Sequence, residues 1–146
     1  MPCPQLSDLR DRHYEAVNSG DADAAALVMA PDIENQFPGA PAGAMNGVPG
    51  FKMFFGPFVK AFPGARISVS NSLEAGDSII TEGIYRGTHT GLLEGLQGTV
   101  PATGRKIELP FVDIFRVRDG KFVSHHIYFD QMTFLAQLGL MPGGAG

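Results

Sequence analysis

The chain is poor in cysteine, in long apolar runs and in clustered positive charge, and each shortage removes a class of function. Cys3 is the only cysteine in 146 residues, which excludes an internal disulfide framework and a cysteine-based zinc cluster. No apolar run approaches a membrane span, and the opening MPCPQLSDLR lacks the hydrophobic centre of a secretory signal, so a cytoplasmic protein is the expectation. The Lys and Arg residues are scattered and the net charge is -4. Without a basic footprint, nucleic-acid binding is not expected. There are no internal repeats, and the glycines around Gly-Leu-Gln-Gly form no phosphate-loop pattern, which leaves a nucleotide site without support.

What is present is an ordinary globular composition, long enough for a single domain over residues 1–146. Nineteen Gly and eleven Pro fall mostly between periodic segments and so mark the element boundaries. Leu6, Leu9, His13, Ala16 and Val17 recur at helical spacing up to Asn18-Ser19-Gly20. Asp21-Ala22-Asp23 opens a second short helix through Ala30, with Pro31 beyond it. Ile33 to Phe37 reads as a short strand, and PGAPAGAMNG as a loop over the mouth of a cavity. Pro49 begins a third helix striped with Phe51, Phe54, Phe55, Phe58, Val59 and Phe62, which Pro57 should kink.

From Arg66 the period changes to two. Strands are expected at Ile67 to Leu73 and Ser78 to Thr90, a glycine-rich loop from Gly91 to Gly104, and a hairpin from Ile107 to Asp130. Gln131 to Leu138 form a short last helix, and residues 141–146 a frayed tail. The prediction is an α+β domain: a cone-shaped curved antiparallel sheet wrapped around three N-terminal helices, with a short C-terminal helix.

The hairpin carries the chemistry. Asp119-Gly120 between alternating apolar residues signals a two-residue turn, since both central positions need φ > 0. With Arg118 and Lys121 flanking it, Asp113 lies opposite His126 and Phe111 opposite Tyr128. Phe111, Asp113, Phe115, His126, Tyr128 and Asp130 then share one face. A bulge would shift that register and separate Asp113 from Asp130. Three ionisable groups on an apolar surface suit acid/base work on a flat or polycyclic organic ligand. The other face would carry Val112, Ile114, His125, Val123, Ile127 and Phe129, too apolar for solvent, so a second copy is expected to cover it.

Each of these residues also has a structural reading. Asp130 precedes a helix and is a favoured N-cap. Asp113 and His126 can be a buried ion pair that sets register. His13 lies on the apolar helical stripe, as core histidines do, and Tyr14 sits off its centre. His89, beside Gly87 and Gly91, can simply bond the loop. Asn35 and Gln36 at the pocket mouth could orient a carbonyl or serve turn and strand-end roles, while Phe54 and Phe58 belong to a stripe that is core first. His126 and Asp130 are four apart, which along a strand separates them by about 13 Å and does not suit a metal.

The segment YRGTHTGLLEGLQGTVPATGR, then FRVRDGKFVSHHIYFD and QLGLMP, resembles the SnoaL-like polyketide (ester) cyclases of the nuclear transport factor 2-like superfold. The opening HYEAVNSGDADAAALVMAPD is similar to the first two helices of that superfold, which includes ketosteroid isomerase and limonene epoxide hydrolase. The resemblance implies a cone-shaped α+β fold, usually dimeric. It also implies an Asp near the end of the last strand acting as acid/base in an intramolecular aldol closure without metal or cofactor, the place of Asp130. Asp113 matches the isomerase Asp that stays protonated and donates to an oxyanion. His13 and Phe37 replace that isomerase's oxyanion Tyr and its base, and the hydrolase's Asp-Arg-Asp set is not evident.

The expected function is therefore a cofactor-independent cyclase, of the isomerase or lyase type, acting on a polyketide-like polycarbonyl substrate. Asp130 would remove the proton, with Asp113 or His126 as donor and His13, Tyr14, Asn35, Phe37, Phe54, Phe58, His89, Phe111, Phe115 and Tyr128 contacting substrate. A binding module for an apolar small molecule, and a hydrolase or hydratase using the same cavity, are the alternatives.

Overall fold

In the computed structural model, which describes residues 6–40, 43, 45–95 and 98–140, helices come first and a five-stranded sheet closes over them. Helix α1 spans Leu6–Asn18 and buries Leu9, His13, Tyr14, Ala16 and Val17, the helical stripe with Tyr14 added to it. Asp21 caps α2, Ala22–Ala25, by accepting from the Ala24 amide. The expected second helix ends early: a 3-10 turn covers Ala26–Val28, and strand β1 already starts at Met29 and runs to Gln36. Pro31 explains the change, since it cannot continue a helix but is tolerated on an edge strand, and β1 is the edge of the sheet.

Helix α3 spans Gly47–Ala61 and runs on past Pro57, while Pro49 sits in its first turn, where an amide hydrogen would have no partner. Strands β2 (Arg66–Ala75) and β3 (Ser78–Thr88) form a hairpin. The glycine-rich segment, expected to lack structure, holds a small hairpin of β4 (Leu93–Gly95) and β5 (Gly98–Val100). Strands β6 (Lys106–Arg118) and β7 (Lys121–Phe129) follow, then α4, Gln131–Gln137. The frayed tail expected at residues 141–146 lies outside the described residues.

The main sheet has the order β1-β7-β6-β3-β2. Its pairs are antiparallel except β1 with β7, which is parallel, so the sheet is mixed where a wholly antiparallel one was expected. One face curves over α1 and α3. Leu9, Tyr14, Phe51 and Phe55 from the helices meet Ile79, Phe111, Phe115 and Phe122 from the strands in one core. A second cluster, Phe62, Ile107, Leu109, Phe134 and Leu138, closes the end covered by α4.

The β6–β7 turn forms as its sequence predicts, with φ of 53° at Asp119 and 74° at Gly120 and with Arg118 paired to Lys121. The register then changes. Val117 pairs with Phe122 but Arg116 pairs with Ser124, so Val123 is an extra residue on β7. From there on Phe115 faces His125, Asp113 faces Ile127 and Phe111 faces Phe129. The bulge lets Phe122 above it and Ile127 and Phe129 below it all turn inward, which an unbroken alternation forbids.

Candidate active site

One bulged residue decides which ionisable groups meet. His125, expected on the outer face, points inward, where its Nε2 lies 2.8 Å from Asp113 Oδ1. The other carboxylate oxygen, Oδ2, accepts from the Tyr14 hydroxyl at 2.6 Å. All three residues are buried. Burial first, and then the negative charge of Asp113, push the Tyr14 phenol well above its usual range. Tyr14 therefore keeps its proton and gives it to Asp113, which accepts at Oδ2.

His13, one residue before Tyr14, stands beside this set with its ring centroid 6.0 Å from that of His125. Its Nδ1 is 3.0 Å from the Ala25 carbonyl oxygen. A carbonyl only accepts, so Nδ1 carries the proton and Nε2 is the free imidazole nitrogen. Burial, reinforced by the neighbouring His125, lowers the His13 pKa from 6.5 to about 4, so the ring is neutral. His125 stacks on Phe115 with centroids 4.5 Å apart, and its Nδ1 is buried with no hydrogen-bond partner among the described residues.

These groups line a cavity between α1, α3 and the inner face of the sheet. His13 and Tyr14 contribute from α1, Phe51, Phe54, Phe55 and Phe58 from α3, Tyr85 from β3, and Phe111 and Asp113 from β6. His125, Ile127 and Phe129 complete it from β7. Gly83 makes room for the Phe111 ring, whose Cζ would lie 2.8 Å from an added Cβ. The space is about 70 Å³, well below the roughly 300 Å³ at which small-molecule pockets begin. Phe54 and Phe58 are only half-buried, so they are the walls able to move without opening the core.

Other expected site residues lie elsewhere. Asp130 is not in the cavity. It is exposed and caps α4, accepting from the Met132 amide at 2.9 Å and the Thr133 hydroxyl at 2.8 Å. Those bonds, the Thr133 hydroxyl first, hold its carboxyl below the usual range. His126 points outward to Glu34, 3.1 Å away, and Tyr128 is exposed on the same outer face. Both corrections follow from the extra residue at Val123. Phe115 is core, stacked between Phe122 and His125. Phe37 is buried against Phe54 at 4.1 Å and edge-on to His125. Asn35 is buried and donates to the carbonyls of Met45 and Gly47, tying the loop before α3 to β1. His89 accepts the Thr103 amide at Nδ1 and so anchors the glycine-rich loop, away from the cavity. Ile127 and Phe129, expected on the outer face, line the cavity instead.

The sequence carried one hint of a bulge, without fixing its place. An unbroken register leaves Ile127 and Phe129 facing solvent beside Val112 and Ile114, and a bulge removes that misfit. Among the described residues no three His, Cys, Asp or Glu side chains converge as metal ligands would. No helix among them is long and apolar enough to cross a membrane.

A family model described as SnoaL-like polyketide cyclase matches residues 7–138. IdmH of Streptomyces antibioticus, a proposed polyketide cyclase, is 34% identical; the match covers 93% of this chain and 99% of that one, with a TM-score of 0.75. A proposed SnoaL-like polyketide cyclase from Jannaschia sp. CCS1 is 19% identical over 93% of this chain and 92% of its own, with a TM-score of 0.78. AclR of Streptomyces galilaeus, a proposed hydroxylase, has the same fold at 23% identity and a TM-score of 0.77, over 93% of this chain and 85% of its own. No protein of curated function matches the sequence.

Proposed function

The chain belongs to the SnoaL-like polyketide cyclase family, and from that premise we propose that it closes a ring on a polyketide-like polycarbonyl substrate by acid/base chemistry in this cavity, with His125 as the base. The observation that carries the proposal is the buried Tyr14–Asp113–His125 set, hydrogen-bonded at 2.6 and 2.8 Å within an aromatic wall.

With Tyr14 donating to one oxygen, Asp113 is best satisfied as a carboxylate that takes the His125 Nε2 hydrogen on the other. Nδ1 of His125 is then a lone pair without a protein partner. A methylene between two carbonyls gives its proton to that nitrogen, and Asp113 stabilises the imidazolium formed. His13 is a poorer base, because burial and the adjacent His125 disfavour its cationic form. The enolate carbon attacks a carbonyl carbon of the same chain; the carbon–carbon bond forms as the carbonyl π pair moves to its oxygen. The resulting alkoxide recovers the proton from His125, so the cycle consumes nothing. Asp113 thus acts through the imidazole rather than as a protonated oxyanion donor, and Asp130 takes no part.

Nδ1 is enclosed, so substrate must part Phe54 and Phe58 to reach it, which makes opening of the aromatic wall part of binding. Positioning a flexible polycarbonyl chain between such rings supplies the near-attack geometry that proton transfer alone does not.

The test uses an aromatic β-ketoester, ethyl benzoylacetate, as carbon acid and follows deuterium exchange at its methylene by NMR. Asp113→Asn and His125→Gln should each lower the protein-catalysed exchange by roughly 10²-fold or more. Exchange at the unaltered rate in both variants rejects the base assignment. A second reading, ligand binding without chemistry, draws on both oxygens of Asp113 being already paired. Saturable binding of the ketoester with no exchange above buffer would favour it.

The outward face of the sheet carries Ile80, Ile84, Val112 and Ile114, with Leu73 and Tyr128 exposed at its margins. A second copy of the chain is the proposed cover for this face.

A further inference from the structure

Five polar side chains line the cavity, and four of them have no hydrogen left to give. Tyr14 donates its hydroxyl hydrogen and His125 its Nε2 hydrogen to Asp113, which as a carboxylate has none, and His13 donates from Nδ1 to the Ala25 carbonyl. Tyr85 is the fifth. Its ring packs on Phe58 and Phe62, and its partners on the flanking strands are Ile67 and Leu109, neither of which offers a polar side-chain atom. The hydroxyl makes no hydrogen bond among the described residues. Burial, the sole cause, pushes the phenol well above its usual range, so it keeps a hydrogen to give.

A phenylalanine would build this wall equally well. Tyrosine hydroxyls in apolar surroundings ordinarily find a partner, and the one that the described residues do not supply is one that a ligand in the cavity would. Position says which part of the ligand it is. Tyr85 pairs with Leu109 and Thr81 with Asp113, so Tyr85 lies four strand positions, about 13 Å, from the rung of Asp113. A row of rings spans the interval: His125 meets Phe37, Phe37 stacks on Phe54, Phe54 meets Phe58 and Phe58 meets Tyr85. An oxygen next to the carbon that His125 deprotonates is too far from Tyr85, whereas a carbonyl several carbons further along the same chain reaches it.

We propose that the Tyr85 hydroxyl donates to a carbonyl oxygen remote from the reacting methylene, and so makes the cavity select chains that carry a second carbonyl at that distance. The inference rests on the acid/base reading of the cavity and adds a specificity-determining residue to it. A carbonyl placed there gains a hydrogen bond without breaking one within the protein. A hydrocarbon group in the same place leaves the hydroxyl facing apolar surface, which is how a polar site rejects an analogue that lacks the matching group.

The test uses two probes of one shape: ethyl (4-acetylbenzoyl)acetate, with a carbonyl across the ring from the ketoester, and ethyl (4-isopropylbenzoyl)acetate, in which isopropyl replaces that acetyl group. Affinities are read by NMR titration, and deuterium exchange at the methylene is followed in the same samples. The parent should bind the acetyl probe about three- to tenfold more tightly, the effect of one hydrogen bond. Tyr85→Phe removes only the oxygen and keeps the shape of the wall. It should abolish the preference, weakening the acetyl probe by that factor and the isopropyl probe by less than about twofold. No preference in the parent, or the same preference in Tyr85→Phe, overturns the assignment. Equal weakening of both probes would put the hydroxyl on the ketoester that they share, and overturns it too. A preference that vanishes in Tyr85→Phe while neither probe exchanges above buffer supports the Tyr85 contact and rejects the acid/base reading. Exchange that is lost in Asp113→Asn and His125→Gln, with no preference between the probes, supports that reading and rejects the contact.

Discussion

His125 and Asp113 are not directly opposed on their strands, yet Nε2 and Oδ1 meet at 2.8 Å. Asp113 is paired with Ile127 and His125 with Phe115, so the contact is a diagonal one on the inner face, created by the extra residue at Val123.

Deleting Val123 should remove the bulge and leave every pairing beyond it unchanged, with Phe115 still opposite His125 and with His125, Ile127 and Phe129 still turned inward. The deletion variant should therefore fold and keep its ketoester exchange. Exchange lost to the level of Asp113→Asn in a folded deletion variant would contradict the register described.

Removing one member of the buried pair should hurt more than removing both. Asp113→Ala leaves Tyr14 and His125 facing a void and should destabilise by about 3 to 5 kcal/mol. Adding His125→Leu should cost less than the sum of the two single changes. A double-mutant cycle in urea tests the coupling; strict additivity would mean that the two side chains do not interact.

His13 makes stability depend on pH in a defined window. Its folded pKa, about 4, lies below the ordinary 6.5, so between these values the unfolded chain binds the extra proton. Stability should therefore fall as pH drops from about 6.5 to about 4, by about 3 kcal/mol in all, and level off below. His13→Gln should remove that part of the slope. If the parent and the variant decline in parallel, His13 is not the group responsible.

Asp130 belongs to the fold. Asp130→Ala should lower the melting temperature without changing ketoester exchange by more than about twofold, consistent with loss of a helix cap. Because its folded carboxyl titrates low, the stability it confers is present above the usual carboxylate range and is lost as pH falls below it. A collapse of exchange in a folded Asp130→Ala protein would return this residue to the chemistry.

For the outward face, sedimentation should show a dimer at micromolar concentration, and Ile114→Lys should give monomers that retain the far-ultraviolet spectrum. A parent protein that sediments as a monomer removes the second copy as the cover.

Local rules were enough for much of this architecture. The helical stripe of α1, the period-two pattern after Arg66 and the Asp119-Gly120 turn are each set by neighbours within a few residues, and each forms as the pattern requires. The motifs around Tyr85 to Arg105 and Phe115 to Asp130 likewise identified the family. Phe111 and Asp113 lie on the inward face of β6 that alternation assigned to them, and His13 lies on the helical stripe of α1.

Tertiary structure alone decided the rest. A bulge is chosen by which register buries more apolar area across the whole sheet, so no window around Val123 determines it. With that choice went His125 in place of His126, and the release of Asp130 to its cap. From α1, Tyr14 bonds Asp113 on β6, 99 positions away, and Arg10 bonds Ser72 on β2, 62 positions away, which meets Thr81 on β3. Such contacts exist only once three strands and a helix are packed, because hydrogen-bond geometry is fixed by distance in space and not along the chain.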